Sequence, residues 1–79
     1  MKISVGQIWN DVHGKKFVIT SVECGRFRGI REDGKVFDTV DFFKSDESLA
    51  FEVATKAVYC GTKPISEAIA MLFSKEAEA

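Results

Sequence analysis

The sequence predicts an α+β fold: a small antiparallel meander of about four strands, followed by a C-terminal helical hairpin. Three observations carry this expectation. Residues 16–40 contain three β-rich runs separated by Cys24-Gly25 and Asp33-Gly34, and Asp-Gly between apolar runs is a strong hairpin signal. Ile65, Ala68, Ile69, Leu72 and Phe73 recur at i, i+3, i+4, i+7 and i+8, the spacing of one helix face. Gly61 and Pro64 punctuate the run before them as a helix stop and a helix start. Seventy-nine residues make one domain, 1–79, with a sheet half at 1–44 and a helical half at 45–79.

The first strand is read at Val5–Trp9, with Val5, Gln7 and Trp9 on one face and Ile8 on the other. Residues 10–15 then form a polar loop in which Asn, Asp and Gly supply turn chemistry. The second strand covers about Lys16 to Glu23; Val18, Thr20 and Val22 share one face, and Phe17, Ile19 and Ser21 share the other. Both faces are partly apolar, so pattern alone leaves open which one points inward. The third strand covers about Arg26 to Glu32, where mid-strand Gly29 marks a bulge or sharp bend. A type I′ turn at Asp33-Gly34, which needs positive φ at both central residues, leads to a fourth strand at about Lys35–Val40.

Asp41-Phe42-Phe43-Lys44 reads as a short turn with two anchoring aromatics. Ser45 then caps a first helix, with Asp46 and Glu47 at its positive end. From Leu49 to Cys60, Leu49, Ala50, Val53, Ala54, Ala57 and Val58 form a helical stripe. A rival pattern runs through the same residues, because Phe51, Val53, Thr55, Ala57 and Tyr59 alternate as a strand would. The alanines and the cap favour helix. Gly61 closes this first helix, Pro64 opens the second, and residues 75–79 fray.

The net charge is −1, which argues against an obligate nucleic-acid binder. The charge is unevenly spread: residues 1–44 carry eight Lys/Arg against six Asp/Glu, and residues 45–79 carry three against six. Cys24 and Cys60 fit no metal-ligand or CxxC spacing and read as part-buried thiols in a reducing cytoplasm. The N-terminus lacks signal-peptide character. No apolar run in the chain approaches the roughly 20 residues a membrane helix needs. A cytoplasmic protein with no cofactor, no metal and no membrane association is the expectation.

Four short strands, a curling glycine and a C-terminal cover fit a small SH3-like barrel with a helical appendage. Val-Gly-Gln-Ile-Trp-Asn-Asp at 5–11, Gly-Lys-Lys-Phe-Val-Ile at 14–19, Gly-Lys-Val at 34–36 and Phe-Phe-Lys at 42–44 carry a resemblance. Over about the first 44 residues the chain resembles small phage and prophage SH3-like barrel proteins of uncharacterised function. The resemblance implies a fold and a mobile-element origin, and its motifs are structural.

No catalytic constellation stands out. His13 beside Asp11 is a loop pair that would need a nearby nucleophile before it meant catalysis. Arg26, Arg28 and Arg31, with Lys15, Lys16 and Lys35, offer a basic hairpin face on which Trp9 or Phe27 would stack bases. Glu23, Glu32, Asp33 and Asp38 interleave with these cations, so cross-strand ion pairs explain the same residues. Phe51, Tyr59, Met71 and Phe73 are surplus aromatic and apolar groups suited to a protein partner or to self-association. The leading expectation is a non-enzymatic interaction module, a small phage-type accessory protein that binds another protein. The alternative is a nucleic-acid-binding small barrel using the basic hairpin face. The candidate contact residues are Trp9, Arg26, Phe27, Arg28, Arg31, Phe51, Tyr59, Met71 and Phe73.

Overall fold

A computed structural model of the chain describes residues 2–23, 26–38, 52, 53 and 55–73. It contains strands β1 (Gln7–Asn10), β2 (Lys16–Glu23), β3 (Arg26–Arg31), β4 (Val36–Asp38) and β5 (Val58–Thr62), then helix α1 (Ile65–Phe73). The strands form one antiparallel sheet in the order β4-β3-β2-β1-β5. Edge strands β4 and β5 do not pair with each other among the described residues. Among the described residues the sheet is therefore an open curl and not a closed barrel. The expected turn at 41–44, the helix start at 45–47 and the frayed tail at 75–79 lie outside the described residues.

The two apolar faces of β2 explain why pattern alone did not choose between them: both are buried. On one face Trp9, Phe17, Ile19 and Phe27 gather with Ile3 and Ala57. Phe37 from one edge strand and Tyr59 from the other both pack on this cluster, so the sheet curls around it. On the other face Ile8 and Val18 meet Ala68 and Leu72 of α1, with Ile30, Ile65 and Ile69 around them. Residues two apart on α1's axis would not reach one surface, whereas the expected i, i+3, i+4, i+7 stripe does. Phe73, the last member of that stripe, is 38% exposed and lies off the contact.

The register of β2 against β3 breaks once. Ile19 faces Gly29 and Ser21 faces Arg28, so Thr20 is an extra residue. A bulge resets the alternation of side chains. Val22 consequently joins the Phe17 and Ile19 face, not the Val18 face expected from strict alternation. Gly29 pairs with Ile19 beside this bulge, where a bulge or sharp bend was expected, and a close approach gives a second reason for glycine. A Cβ added there would collide with the Phe37 ring and come within 2.6 Å of the Val18 carbonyl oxygen.

Of the helical hairpin expected at 45–73, the described residues show helix at 52, 53 and 55, then a strand at Val58–Thr62 before α1, so the first helix ends earlier than Cys60 and no hairpin of two helices is shown. Lys56, with φ 61°, ends the helical turn. From Val58 the chain becomes β5 and pairs with β1. The reason is tertiary: β1 would otherwise present an open row of backbone donors and acceptors, which residues 58–62 satisfy. Val53 and Val58 of the expected stripe are 66% and 63% exposed, while Ala57 is buried. Gly61 is not a helix stop. Its φ of 136° belongs to a second irregularity, where Ile8 faces Gly61 and Trp9 faces Tyr59, leaving Cys60 unpaired and exposed. The part-buried state expected for Cys60 is thereby corrected, and Cys24 lies outside the described residues.

Candidate functional site

Two turns at the same end of the sheet are built alike. Asp11-Val12-His13-Gly14-Lys15 joins β1 to β2, and Arg31-Glu32-Asp33-Gly34-Lys35 joins β3 to β4. In the first, Asp11 N donates to the Lys15 carbonyl at 2.7 Å and Gly14 N to the Asp11 carbonyl at 3.0 Å. In the second, Arg31 N donates to Lys35 at 2.8 Å and Gly34 N to Arg31 at 2.9 Å. Gly14 and Gly34 have φ of 78° and 87°. This is a three-residue loop, a type I turn followed by one left-handed glycine. The type I′ turn expected at Asp33-Gly34 is corrected, because Asp33 is not among the residues with positive φ.

Side chains tie each turn to itself and then to its neighbour. Asp11 Oδ1 accepts the backbone N–H of His13 at 2.8 Å and of Lys15 at 2.9 Å. Its other oxygen takes the Arg31 guanidinium from across the sheet. Glu32 N donates to the Lys16 carbonyl, and Lys16 N donates back to Glu32 Oε2, each at 3.1 Å. Burial pushes the Asp11 carboxyl up, but the two backbone N–H groups and the Arg31 charge outweigh it and hold the group below the usual aspartate range.

Behind this ion pair lies a hollow of about 270 Å³, lined by Asp11, Val12, His13, Phe17, Arg31, Phe37 and Thr55. Phe17 and Phe37 meet edge to face, with centroids 4.9 Å apart, and form an apolar floor. A second depression shares Asp11, His13 and Arg31 with the hollow and is lined by Asp11, His13, Lys15, Arg31, Asp33 and Lys35. The hollow falls just short of the roughly 300–1,000 Å³ of small-molecule sites, a size suited to one inserted side chain. The Asp11 carboxylate bonds to the His13 backbone, and no hydrogen bond joins it to the imidazole among the described residues. The pair is thus arranged to shape a turn. Among the described residues no group of three or more His, Cys, Asp or Glu could hold a metal ion.

The expected contact residues fall in several places. Trp9 and Phe27 are fully buried and serve the core instead of presenting a stacking surface. The Trp9 indole N–H donates to Gln7 Oε1 at 3.1 Å, and Tyr59 packs against its ring at 5.6 Å. Arg26 grips Asp38 through two hydrogen bonds of 3.1 and 2.9 Å, and Arg28 adds a third at 3.1 Å. The basic hairpin face is therefore laced by cross-strand ion pairs, with Arg31 committed to Asp11. Met71 and Phe73 are exposed on α1, away from the hollow. Phe51 lies outside the described residues. The hollow itself was not anticipated. The recurring Gly-Lys at 14–15 and 34–35 was its available signal, since it marks two equivalent turns.

No family model, curated protein or solved structure matches the chain. Among the described residues no helix is long and apolar enough to cross a membrane.

Proposed function

We propose that this chain is a non-enzymatic interaction module, a small phage-type accessory protein that docks onto another protein through the hollow at the turn end of its sheet. The observation that carries this reading is the hollow's construction. Its floor is two packed phenylalanines, its wall includes Val12 at 64% exposure, and its rim is polar. An apolar recess inside a polar rim is the arrangement of a protein-docking hot spot. The resemblance of residues 5–11, 14–19, 34–36 and 42–44 to small phage and prophage barrel proteins supports the accessory role. The alternative, nucleic-acid binding by the basic hairpin face, has weaker support. Arg26, Arg28 and Arg31 each already engage a carboxylate that phosphate would have to displace.

The test is affinity capture by the full chain from a lysate of its source organism, with nuclease added. Val12→Asp, an exposed turn position where folding should change by less than about 0.5 kcal/mol, should abolish capture of the protein partner. Met71→Gln on α1 should leave it intact. Loss with Met71→Gln and retention with Val12→Asp would move docking to the helix. Capture that disappears on nuclease treatment would favour the nucleic-acid alternative.

A further inference from the structure

We infer that the segment received by this hollow carries a large apolar residue flanked by carboxylates, an inference that rests on reading the hollow as a protein-docking site. The apolar part follows from Phe17 and Phe37, which line the hollow and offer an inserted side chain hydrocarbon contact. Phe17 is 5% exposed, and the Phe37 ring is pinned over Gly29 and against Phe17. Stacking of a nucleobase needs a free aromatic platform, so an aliphatic or aromatic side chain entering the recess is the better match.

The acidic part follows from the second depression, which adjoins the hollow through Asp11, His13 and Arg31. Lys15 and Lys35 occupy equivalent places, each directly after the left-handed glycine of its turn, and both border this depression. Among the described residues neither lysine has an ion-pair partner. The other charges there nearly cancel. Asp11 and Arg31 neutralise each other, and Asp33 spends one oxygen on the backbone N–H of Lys35. Two ammonium groups thus stand against a single unpaired carboxylate in the depression that shares Asp11, His13 and Arg31 with the hollow. Carboxylates on the incoming segment would meet this surplus, whereas lysines would face like charge. Because the lysines are exposed, the preference should weaken with salt as the screening length shrinks from about 10 Å at 0.1 M to about 3 Å at 1 M.

The experiment pans a random displayed peptide library against the full chain at low salt, then measures the enriched peptides by fluorescence polarisation. The expected result is a large apolar residue next to Asp or Glu, with affinity falling about tenfold when the acids become lysines. Lys15→Glu combined with Lys35→Glu should reverse that order, with an unchanged thermal melt. Enriched peptides that bind through the hollow, as shown by loss with Val12→Asp, but carry no acids would overturn the inference and leave the docking reading standing. Equal affinity of the acidic and basic peptides would do the same. Absence of any peptide sensitive to Val12→Asp would overturn both. A labelled oligothymidylate that binds wild type and is lost with Lys15→Glu/Lys35→Glu would give the depression to nucleic acid, again against both.

Discussion

The Asp11 carboxylate accepts two backbone N–H groups within its own turn and a guanidinium from the neighbouring one. Its side chain is only 10% exposed, while the two backbone N–H groups it binds lie at the surface. Asp11→Ala removes their acceptor and that of Arg31, and should cost about 0.5–1.5 kcal/mol, read from urea unfolding. Asp11→Asn keeps an oxygen for the N–H groups and should cost less. The pH dependence separates the two contributions. The native carboxyl titrates below its ordinary value, so its stabilising effect is complete above about pH 4. It is lost as pH falls from there through the lowered native value. Asp11→Asn should therefore flatten the acid limb of stability against pH. An acid limb that stays as steep as wild type would show that the charge is not what couples the turns. Both residues of the pair had drawn attention in the sequence for other reasons, Asp11 as a neighbour of His13 and Arg31 as a phosphate contact. Their pairing was hidden because it depends on the registers of β1 with β2 and β2 with β3, which side-chain type alone does not determine.

At the level of elements, β2 and β3 were legible as β-rich runs bounded by turn signals, and α1 by its helical period. Ile65, Ala68, Ile69 and Leu72 form one stripe, and residues 16–23 and 26–31 lie between clear turn signals. Residues 58–62 were not legible, because their sequence fits helix and strand alike, and the deciding partner, β1, lies far away in the chain. Val22 departs from strict alternation for a related reason: a bulge at Thr20 leaves no local composition mark on β2. The packing of α1 can be tested within its own stripe. Leu72 is 6% exposed and Phe73 is 38% exposed. Leu72→Ala should cost about 2–5 kcal/mol of unfolding free energy through a cavity facing Ile8 and Val18. Phe73→Ala should stay within roughly 0.5 kcal/mol, as exposed substitutions do. Equal losses at the two sites would mean that α1 meets the sheet through a different face.

For the molecule as a whole, the turn end and the helix face divide the work between opposite sides of one sheet. The aromatic cluster of Trp9, Phe17, Ile19 and Phe27 gives the sheet its curl, and Phe17 extends from that cluster to floor the hollow. The recess is therefore part of the core's own surface and needs no separate scaffold. α1 seals the other face through Ala68 and Leu72 and leaves Met71 and Phe73 toward solvent. The hollow escaped sequence reading because its walls come from three separate stretches, 11–17, 31–37 and Thr55, which only the fold brings together.

The union of β1 with β5 also sets the order in which the chain assembles. Trp9 faces Tyr59, a residue fifty positions later, whereas β2, β3 and β4 are joined by short local turns. Closing the longer loop forfeits more chain entropy before any contact repays it. The rate-limiting barrier should then be crossed with the hairpins formed and the β1–β5 seam still open. The single tryptophan, with Tyr59 against its ring, is a built-in reporter of that late event. In stopped-flow fluorescence, Tyr59→Leu should accelerate unfolding while leaving the refolding rate nearly unchanged. A refolding rate that falls in proportion to the lost stability would place the seam inside the nucleus instead.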